Sequence, residues 1–167
     1  MNLYILYDLS IILFSLHFIL YIFLKRYFFK ITFLYTFLGT VAHELMHFTL
    51  GLLFFAKPIL FSLIPKKSNN GGYTLGSVSF NNINFINALP VSLAPLLLIP
   101  ISLYLLFLSI GTDTYYIKFI LSYLAAIFFI SSKPSSADLN ILFNNKKGIF
   151  LYLGIILLIL LRGFHYV

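Results

Sequence analysis

The chain contains no cysteine and no tryptophan, and it is very poor in acidic residues. Without cysteine there are neither disulfide bonds nor thiolate ligands, so any metal site must be built from histidine, aspartate, glutamate and water. Among the 167 residues only four are Asp or Glu, whereas eleven are Lys or Arg, which gives a formal net charge of +7. Each acidic residue can therefore be considered separately as a functional group.

Apolar residues make up 61% of the chain and charged residues only 9%. A water-soluble domain of this size cannot bury so much apolar surface, so the sequence predicts an integral membrane protein with one domain over residues 1–167. The basic residues lie mostly in short links between apolar runs, where lipid headgroups explain them and no nucleic-acid partner is expected. We therefore expect a multi-pass protein of the cell membrane whose surroundings are the lipid bilayer.

Five apolar segments are predicted to be membrane-spanning helices, which makes the expected fold class an all-α membrane protein with about five transmembrane helices. The third segment contains Pro90, Pro95 and Pro100, and this predicts a kinked helix packed against its neighbours. The segments comprise residues 3–24, 31–56, 88–109, 115–132 and 148–161.

A small membrane-associated β-hairpin is predicted between the second and third helices, over residues 59–80. Residues 59–64 are apolar, residues 65–72 are rich in turn-forming Pro, Asn and Gly, and residues 73–80 are β-rich with partial alternation. The alternative interpretation is an irregular loop at the membrane interface.

The only glutamate of the chain lies between two of its four histidines, in His43-Glu44-Leu45-Met46-His47. Histidines four residues apart share one face of a helix, so both imidazoles can bind one zinc ion. Glu44 is rotated by about 100° from His43, and from there it can act as general base toward a water molecule without being a ligand. Because an ionisable residue within a membrane segment is costly, the motif predicts a zinc-dependent hydrolase. The alternative is a histidine pair that forms hydrogen bonds within a helical bundle.

A zinc site of this type needs a third protein ligand and an open position for water. Asp138 is the best-placed candidate, because its loop follows the fourth segment and lies on the same membrane side as the exit from the motif helix. The pattern Ser135-x-x-Asp138 is also typical of a helix cap, so spacing alone leaves ligand and cap as equal alternatives. The other candidates, each with an ordinary structural explanation, are Asp8, Asp113, His17 and His165.

Taken together, these features resemble the site-2 protease family of intramembrane zinc metalloproteases. The likeness rests on HELMH in an apolar span, on the hairpin-like segment after it, and on a distant Asp in a membrane stretch that contains Pro and Ser. The chain is similar to a small, minimal member of that family without a PDZ domain. The resemblance implies that His43, His47 and Asp138 are the ligands of Zn²⁺ and that Glu44 is the general base.

The stretch Lys133-Pro134-Ser135-Ser136-Ala137-Asp138 looks like the Ser-Pro-Ser-x-x-Asp form of the minimal relatives. It departs from the Asn-x-x-Pro-x-Pro-x-Leu-Asp-Gly form of the larger enzymes. The role of the usual Asn is therefore open to Ser135, Ser136 or Asn140.

The expected function is that of an intramembrane zinc metalloendopeptidase that hydrolyses peptide bonds of transmembrane or membrane-associated protein substrates. The resemblance implies that the hairpin borders the active site and presents an extended substrate, and an edge strand can pair with a peptide backbone in this way. The alternatives are a non-catalytic membrane binding protein, a metal transporter that uses the same histidine pair, and a catalytically inactive relative.

Overall fold

The computed structural model describes residues 8–64, 66–67 and 73–164, and these residues are mostly helical. The first two apolar segments form α1 (Leu9–Tyr27) and α2 (Phe29–Leu53), which meet at Phe28. Residues 3–7 of the predicted first segment and the candidate ligand His165 lie outside the described residues. The later helices are α3 (Ala88–Ser92), a 3₁₀ helix (Ala94–Leu97), α4 (Leu98–Ile110), α5 (Tyr115–Ser131), α6 (Ser136–Asn144) and α7 (Lys146–Phe164).

The prediction of about five transmembrane helices is wrong in number. Within the described residues, α1 alone is long and apolar enough to cross a bilayer as one helix, and α5 with α6 forms a second candidate only as a broken span bent by 43°. The third segment, predicted to be one kinked helix, is instead divided into α3, the 3₁₀ helix and α4, and only 13 residues remain in α4. Helix α5 has 17 residues, fewer than the roughly 20 that a span requires. The histidines and the glutamate of the motif reduce the apolar character of α2.

The hairpin predicted over residues 59–80 is confirmed as antiparallel pairing, although it consists of two short ladders rather than one. Its outer ladder joins β1 to β4, with Phe61 opposite Val78 and an irregularity in register near Pro58. Its inner ladder joins β2 to β3. Residues 65 and 68–72, at the predicted tip, lie outside the described residues. The strands are β1 (Pro58–Ser62), β2 (Lys66–Lys67), β3 (Tyr73–Thr74) and β4 (Ser77–Phe80).

The chain passes from α2 into β1 through a tight turn with two non-glycine residues in the left-handed region. Phe55 has φ 56° and Lys57 has φ 53°, a conformation that costs about 1–2 kcal/mol for an L-residue. The N–H groups of Asn81 and Asn82 donate hydrogen bonds to the carbonyls of Lys57 and Ala56, each at 3.0 Å. These bonds connect the two ends of the hairpin and hold the strained turn in place.

Aromatic residues of the hairpin pack on the same helix that carries the histidine motif. The ring of Phe61 lies edge-on to Phe48, with 6.1 Å between ring centroids. The ring of Phe80 occupies the space that a Cβ at Gly51 would need. Residues 48 and 51 lie one helical turn apart on one face of α2. These contacts therefore place the hairpin close to the preceding turn, which contains Glu44.

The interior between the helices is built from small side chains. Ala125, Ala126 and Ala94 have no exposed surface, and buried serines form hydrogen bonds between helices. Ser102 donates to the carbonyl of Ala125 at 2.7 Å, which ties α4 to α5. Small and hydroxyl side chains let helix backbones approach closely, as is typical of helices packed within membranes.

Candidate metal centre

His43 and His47 of α2 direct the same ring nitrogen into the same space. The Nδ1 atom of His43 lies 2.7 Å from the carbonyl oxygen of Ser131, and Nδ1 of His47 lies 2.8 Å from that of Val91. A carbonyl oxygen can only accept, so each Nδ1 carries the proton and donates it. In the neutral form of the ring, each Nε2 then carries a lone pair, and the two Nε2 atoms face each other at 3.2 Å. Metal-binding histidines are usually oriented by such an outer hydrogen bond.

Asp138 completes this group from the first turn of α6. One carboxylate oxygen, Oδ1, lies 3.1 Å from Nε2 of His47, and the other, Oδ2, lies 3.6 Å from Nε2 of His43. The carboxylate also belongs to a capping box: Oδ2 accepts from the N–H of Ser135 at 2.6 Å, and the N–H of Asp138 donates to the Ser135 hydroxyl at 3.2 Å. The side chain of Asp138 therefore takes part in the helix cap and also lies where it could bind a metal ion together with the two histidines.

The three side chains form a group that could bind a metal ion, because one ligand atom from each lies within 4.8 Å of the others. A tetrahedral ion with ligand bonds of about 2.0–2.1 Å separates its ligand atoms by roughly 3.3 Å. The distances between His43 and His47 (3.2 Å) and between His47 and Asp138 (3.1 Å) are close to that value. The chemistry of the group also fits a metal ion, because two neutral imidazole nitrogens and a carboxylate that converge without a hydrogen-bond donor between them favour a bound cation.

Glu44 lies beside this group and is 7% exposed. It faces Gly76, in the link between β3 and β4, where an added Cβ would lie 2.6 Å from Glu44 Cγ and 2.9 Å from its Oε1. Only a residue without a side chain allows the hairpin to approach this carboxylate so closely. The hairpin thus restricts the space available to the carboxylate of Glu44.

A cavity of about 510 Å³ opens onto the three possible ligands and Glu44. One wall is a line of buried threonines on α2, Thr32, Thr36 and Thr40, each of which donates its hydroxyl proton to the carbonyl four residues earlier. Residues 75–78 of the hairpin and the link between α5 and α6 form other parts of the wall. Because these hydroxyls already donate to the helix, they offer oxygen lone pairs to whatever enters the cavity.

The remaining predicted candidates that the structure describes are not brought into the metal group. Asp8 caps α1 and forms an ion pair with Lys118 at 3.2 Å. His17 is buried and its Nδ1 lies 2.8 Å from the hydroxyl of Tyr35, while Asp113 is exposed in the turn before α5.

Of the three residues considered for the role of the usual Asn, Ser135 and Ser136 line the cavity. Ser135 also caps α6, and Asn140 is exposed on α6 without being part of the cavity wall. Of these three residues, Ser135 and Ser136 are therefore the ones that can contact a molecule bound in the cavity.

Sequence reasoning missed three parts of the site. The carbonyls of Ser131 and Val91 orient the histidines, but every residue has a carbonyl, so no sequence pattern distinguishes them. Gly76 could have been identified from the sequence, because a glycine inside a β-rich stretch often marks a close approach of the backbone. Its contact with Glu44 nevertheless depends on how the hairpin folds back over α2.

Comparison of the chain with protein-family models, with curated proteins and with solved structures found no significant match.

Proposed function

We propose that this protein is an intramembrane zinc metalloendopeptidase. The observation on which the proposal rests is the convergence of His43, His47 and Asp138 on one point beside Glu44, at the wall of a cavity large enough for a peptide segment. Two neutral histidines and a carboxylate, with a fourth position left for water, form a ligand set typical of catalytic zinc sites. The aspartate comes from a different helix and is 91 residues away from His47 by number (138 − 47), so its presence there is independent support for the motif.

The distribution of apolar side chains supports a location within a bilayer. Large apolar residues point outward, as Leu34 (76% exposed), Phe107 (70%) and Phe150 (72%) illustrate. The fully buried positions are instead filled mainly by alanine, serine and other small residues. A water-soluble monomer rarely exposes a contiguous apolar patch beyond about 300–600 Å², so this arrangement favours lipid contact and a multi-pass protein of the cell membrane.

In the proposed reaction, a water molecule attacks the carbonyl carbon of the scissile peptide bond. Bound zinc would supply Lewis-acid polarisation and make the water more acidic. Glu44 accepts the proton of the attacking water and then delivers it to the amide nitrogen as the C–N bond breaks. The carbonyls of Ser131 and Val91 fix both histidine rings, and the cap at Ser135 fixes Asp138, so the ligand atoms are in position before substrate enters.

The proposed substrates are transmembrane or membrane-associated proteins. Residues 75–78 line the cavity next to Glu44, and β4 is paired with β1 along one of its edges. An extended peptide could add to the other edge of β4, with backbone hydrogen bonds that do not depend on side-chain identity. Helical substrates must unwind locally before water can reach their peptide bonds, and strand addition stabilises that unwound form.

Glu44→Gln is the decisive test, with purified protein in proteoliposomes and a membrane-anchored reporter peptide. We expect stoichiometric zinc in both proteins and cleavage by the wild type alone, because glutamine preserves the shape of the side chain and cannot accept the proton. Loss of cleavage with retained zinc and unchanged thermal stability would support the proposal. Equal cleavage by both proteins, or wild-type protein that binds no zinc, would refute it. Zinc flux into the proteoliposomes without any cleavage would instead indicate the transporter alternative.

A further inference from the structure

Two lysines from distant parts of the chain line the cavity that leads to Glu44. Lys25 comes from the last turn of α1, and Lys133 comes from the link between α5 and α6, five residues before Asp138 by number (138 − 133). Both are exposed residues, and they flank a cavity whose acidic groups are Glu44 and Asp138. The lining of the cavity therefore contains two ammonium groups in addition to the carboxylates of Glu44 and Asp138.

None of the four acidic residues of the chain, all of which the structure describes, forms an ion pair with Lys25 or Lys133. Of its four acids, Asp8 pairs with Lys118 at 3.2 Å, Asp138 faces the histidines, and Glu44 is buried beside Gly76. Asp113 is the fourth, and it does not line the cavity. Within the described residues neither lysine forms an ion pair, so both ammonium groups can interact with a negatively charged group of a molecule in the cavity.

The position of Lys25 is restrained by an aromatic neighbour. Its Nζ lies 5.7 Å from the centroid of the Tyr21 ring, within the range of a cation–π interaction, and Tyr21 lines the same cavity. The neighbouring Arg26 and Lys30, which the structure also describes, lie outside the cavity wall. These two residues are available to lipid headgroups, whereas Lys25 lies on a wall that continues toward the metal group.

The threonine line sets the distance between the two ends of the cavity. Thr32 and Glu44 are twelve residues apart on α2 (44 − 32), which corresponds to about 18 Å at the 1.5 Å rise of an α-helix. An extended peptide advances about 3.3 Å per residue, so roughly five substrate residues fit between them. From their positions in the chain, five residues before Asp138 (138 − 133) and seven before Thr32 (32 − 25), we infer that Lys133 lies toward the metal end of the cavity and Lys25 toward the other end.

We propose that Lys25 and Lys133 select peptide substrates that carry carboxylates, either acidic side chains or a free C-terminus, within about five residues of the cleaved bond. This inference rests on the proposed peptidase function and specifies its substrate class. Ammonium groups at both ends of the cavity attract a carboxylate that follows the threonine line, and they repel a basic segment in the same place. The shared chemistry is a carboxylate on a peptide, and the alternative occupant is the phosphate of an anionic lipid.

The test uses three transmembrane model peptides that are identical except for a juxtamembrane block of Asp, Asn or Lys residues. Binding is measured with the Glu44→Gln variant, which does not consume the peptide, and cleavage is measured with the wild type. Both are measured in vesicles of phosphatidylcholine, with and without phosphatidylglycerol. The variants are Lys25→Gln, Lys133→Gln and the double variant, and the matched control is Lys30→Gln, which removes a charge near Lys25 from outside the cavity.

We expect the Asp peptide to bind more tightly than the Asn peptide, and each cavity variant to lose roughly 2- to 5-fold of that preference, as partly exposed ion pairs usually do. The double variant should lose the preference, Lys30→Gln should keep it, and added salt should weaken it in the wild type. A preference that survives the double variant overturns the inference. So does an effect of the two lysines only in vesicles with phosphatidylglycerol, because they would then bind lipid. If the preference is present but the wild type cleaves no peptide, the peptidase proposal fails while selection of acidic peptides stands.

Discussion

Asp138 has one observed role, in the cap of α6, and one proposed role, as a metal ligand. Substitutions can separate these two roles, and the separation tests the proposed metal centre directly. Its carboxylate faces His47 at 3.1 Å and also accepts from the N–H of Ser135 at 2.6 Å. Asp138→Asn keeps an oxygen that can accept from the N–H of Ser135, and it removes the negative charge of the proposed metal ligand. Ser135→Ala removes the hydroxyl that accepts from the N–H of Asp138 at 3.2 Å and leaves the carboxylate and its backbone partner in place.

The expected magnitudes differ enough to be distinguished. A four-ligand zinc site binds with about 10–16 kcal/mol, or roughly 3 kcal/mol per ligand, which corresponds to about a 100-fold loss of zinc affinity in Asp138→Asn, since about 1.4 kcal/mol is tenfold. The amide oxygen of asparagine can still accept from the N–H of Ser135, as the N3 side chain of a capping box does, so the thermal stability of this variant without metal should stay near that of the wild type. Ser135→Ala should instead lower the free energy of unfolding by about 1 kcal/mol and change zinc affinity little.

Zinc affinity is measured by competition with a chromophoric chelator, and stability by thermal unfolding of metal-free protein in detergent. Asp138→Ala, which removes ligand and cap together, should show both losses and acts as the internal control. Wild-type zinc affinity in Asp138→Asn, with the fold retained, would show that Asp138 is only a cap. The assignment of the third ligand would then be wrong, whatever reaction the protein catalyses.

Three further predictions concern the residue that covers Glu44, the packing of α2 and the ion pair at the start of α1. Gly76→Ala should lower cleavage at least tenfold with unchanged zinc affinity, because the added methyl group displaces the Glu44 side chain; unchanged cleavage would contradict the proposed position of the base. Gly39→Ala should destabilise the fold by about 1–3 kcal/mol, measured by thermal unfolding, because Ser131 and Ile127 occupy the space of its Cβ. Burial acts to raise the pKa of Asp8, but hydrogen bonds from Ser10 and Lys118 and the Lys118 charge outweigh it, so the folded pKa lies below the unfolded value of 3.8. Its stabilising contribution is therefore complete above pH 3.8 and decreases as pH falls through the folded pKa. The difference in melting temperature between the wild type and Asp8→Asn, which retains the cap, should shrink at low pH, and a difference independent of pH would contradict the ion pair.

The hairpin and the cap show how local patterns predict local structure. A run of turn-forming residues between an apolar stretch and a β-rich stretch was enough to predict the pairing over residues 59–80, because turn chemistry and alternation act between near neighbours. The pattern Ser135-x-x-Asp138 likewise indicated a helix cap as one of two alternatives, and the capping box is present there. In contrast, the predicted number of membrane-capable helices was wrong, because an apolar segment does not show how much of its length will form one continuous helix.

The sequence by itself determined the pair His43 and His47, with Glu44 between them, because residues four apart on a helix share a face whatever surrounds them. Only the tertiary structure decided that Asp138 joins them, since α6 must fold back to α2 across 91 residues (138 − 47). It also decided which carbonyls orient the rings, that Gly76 covers Glu44, and that Lys25 and Lys133 line one cavity. These features depend on how separate elements pack, and packing depends on contacts between distant residues that no local pattern encodes.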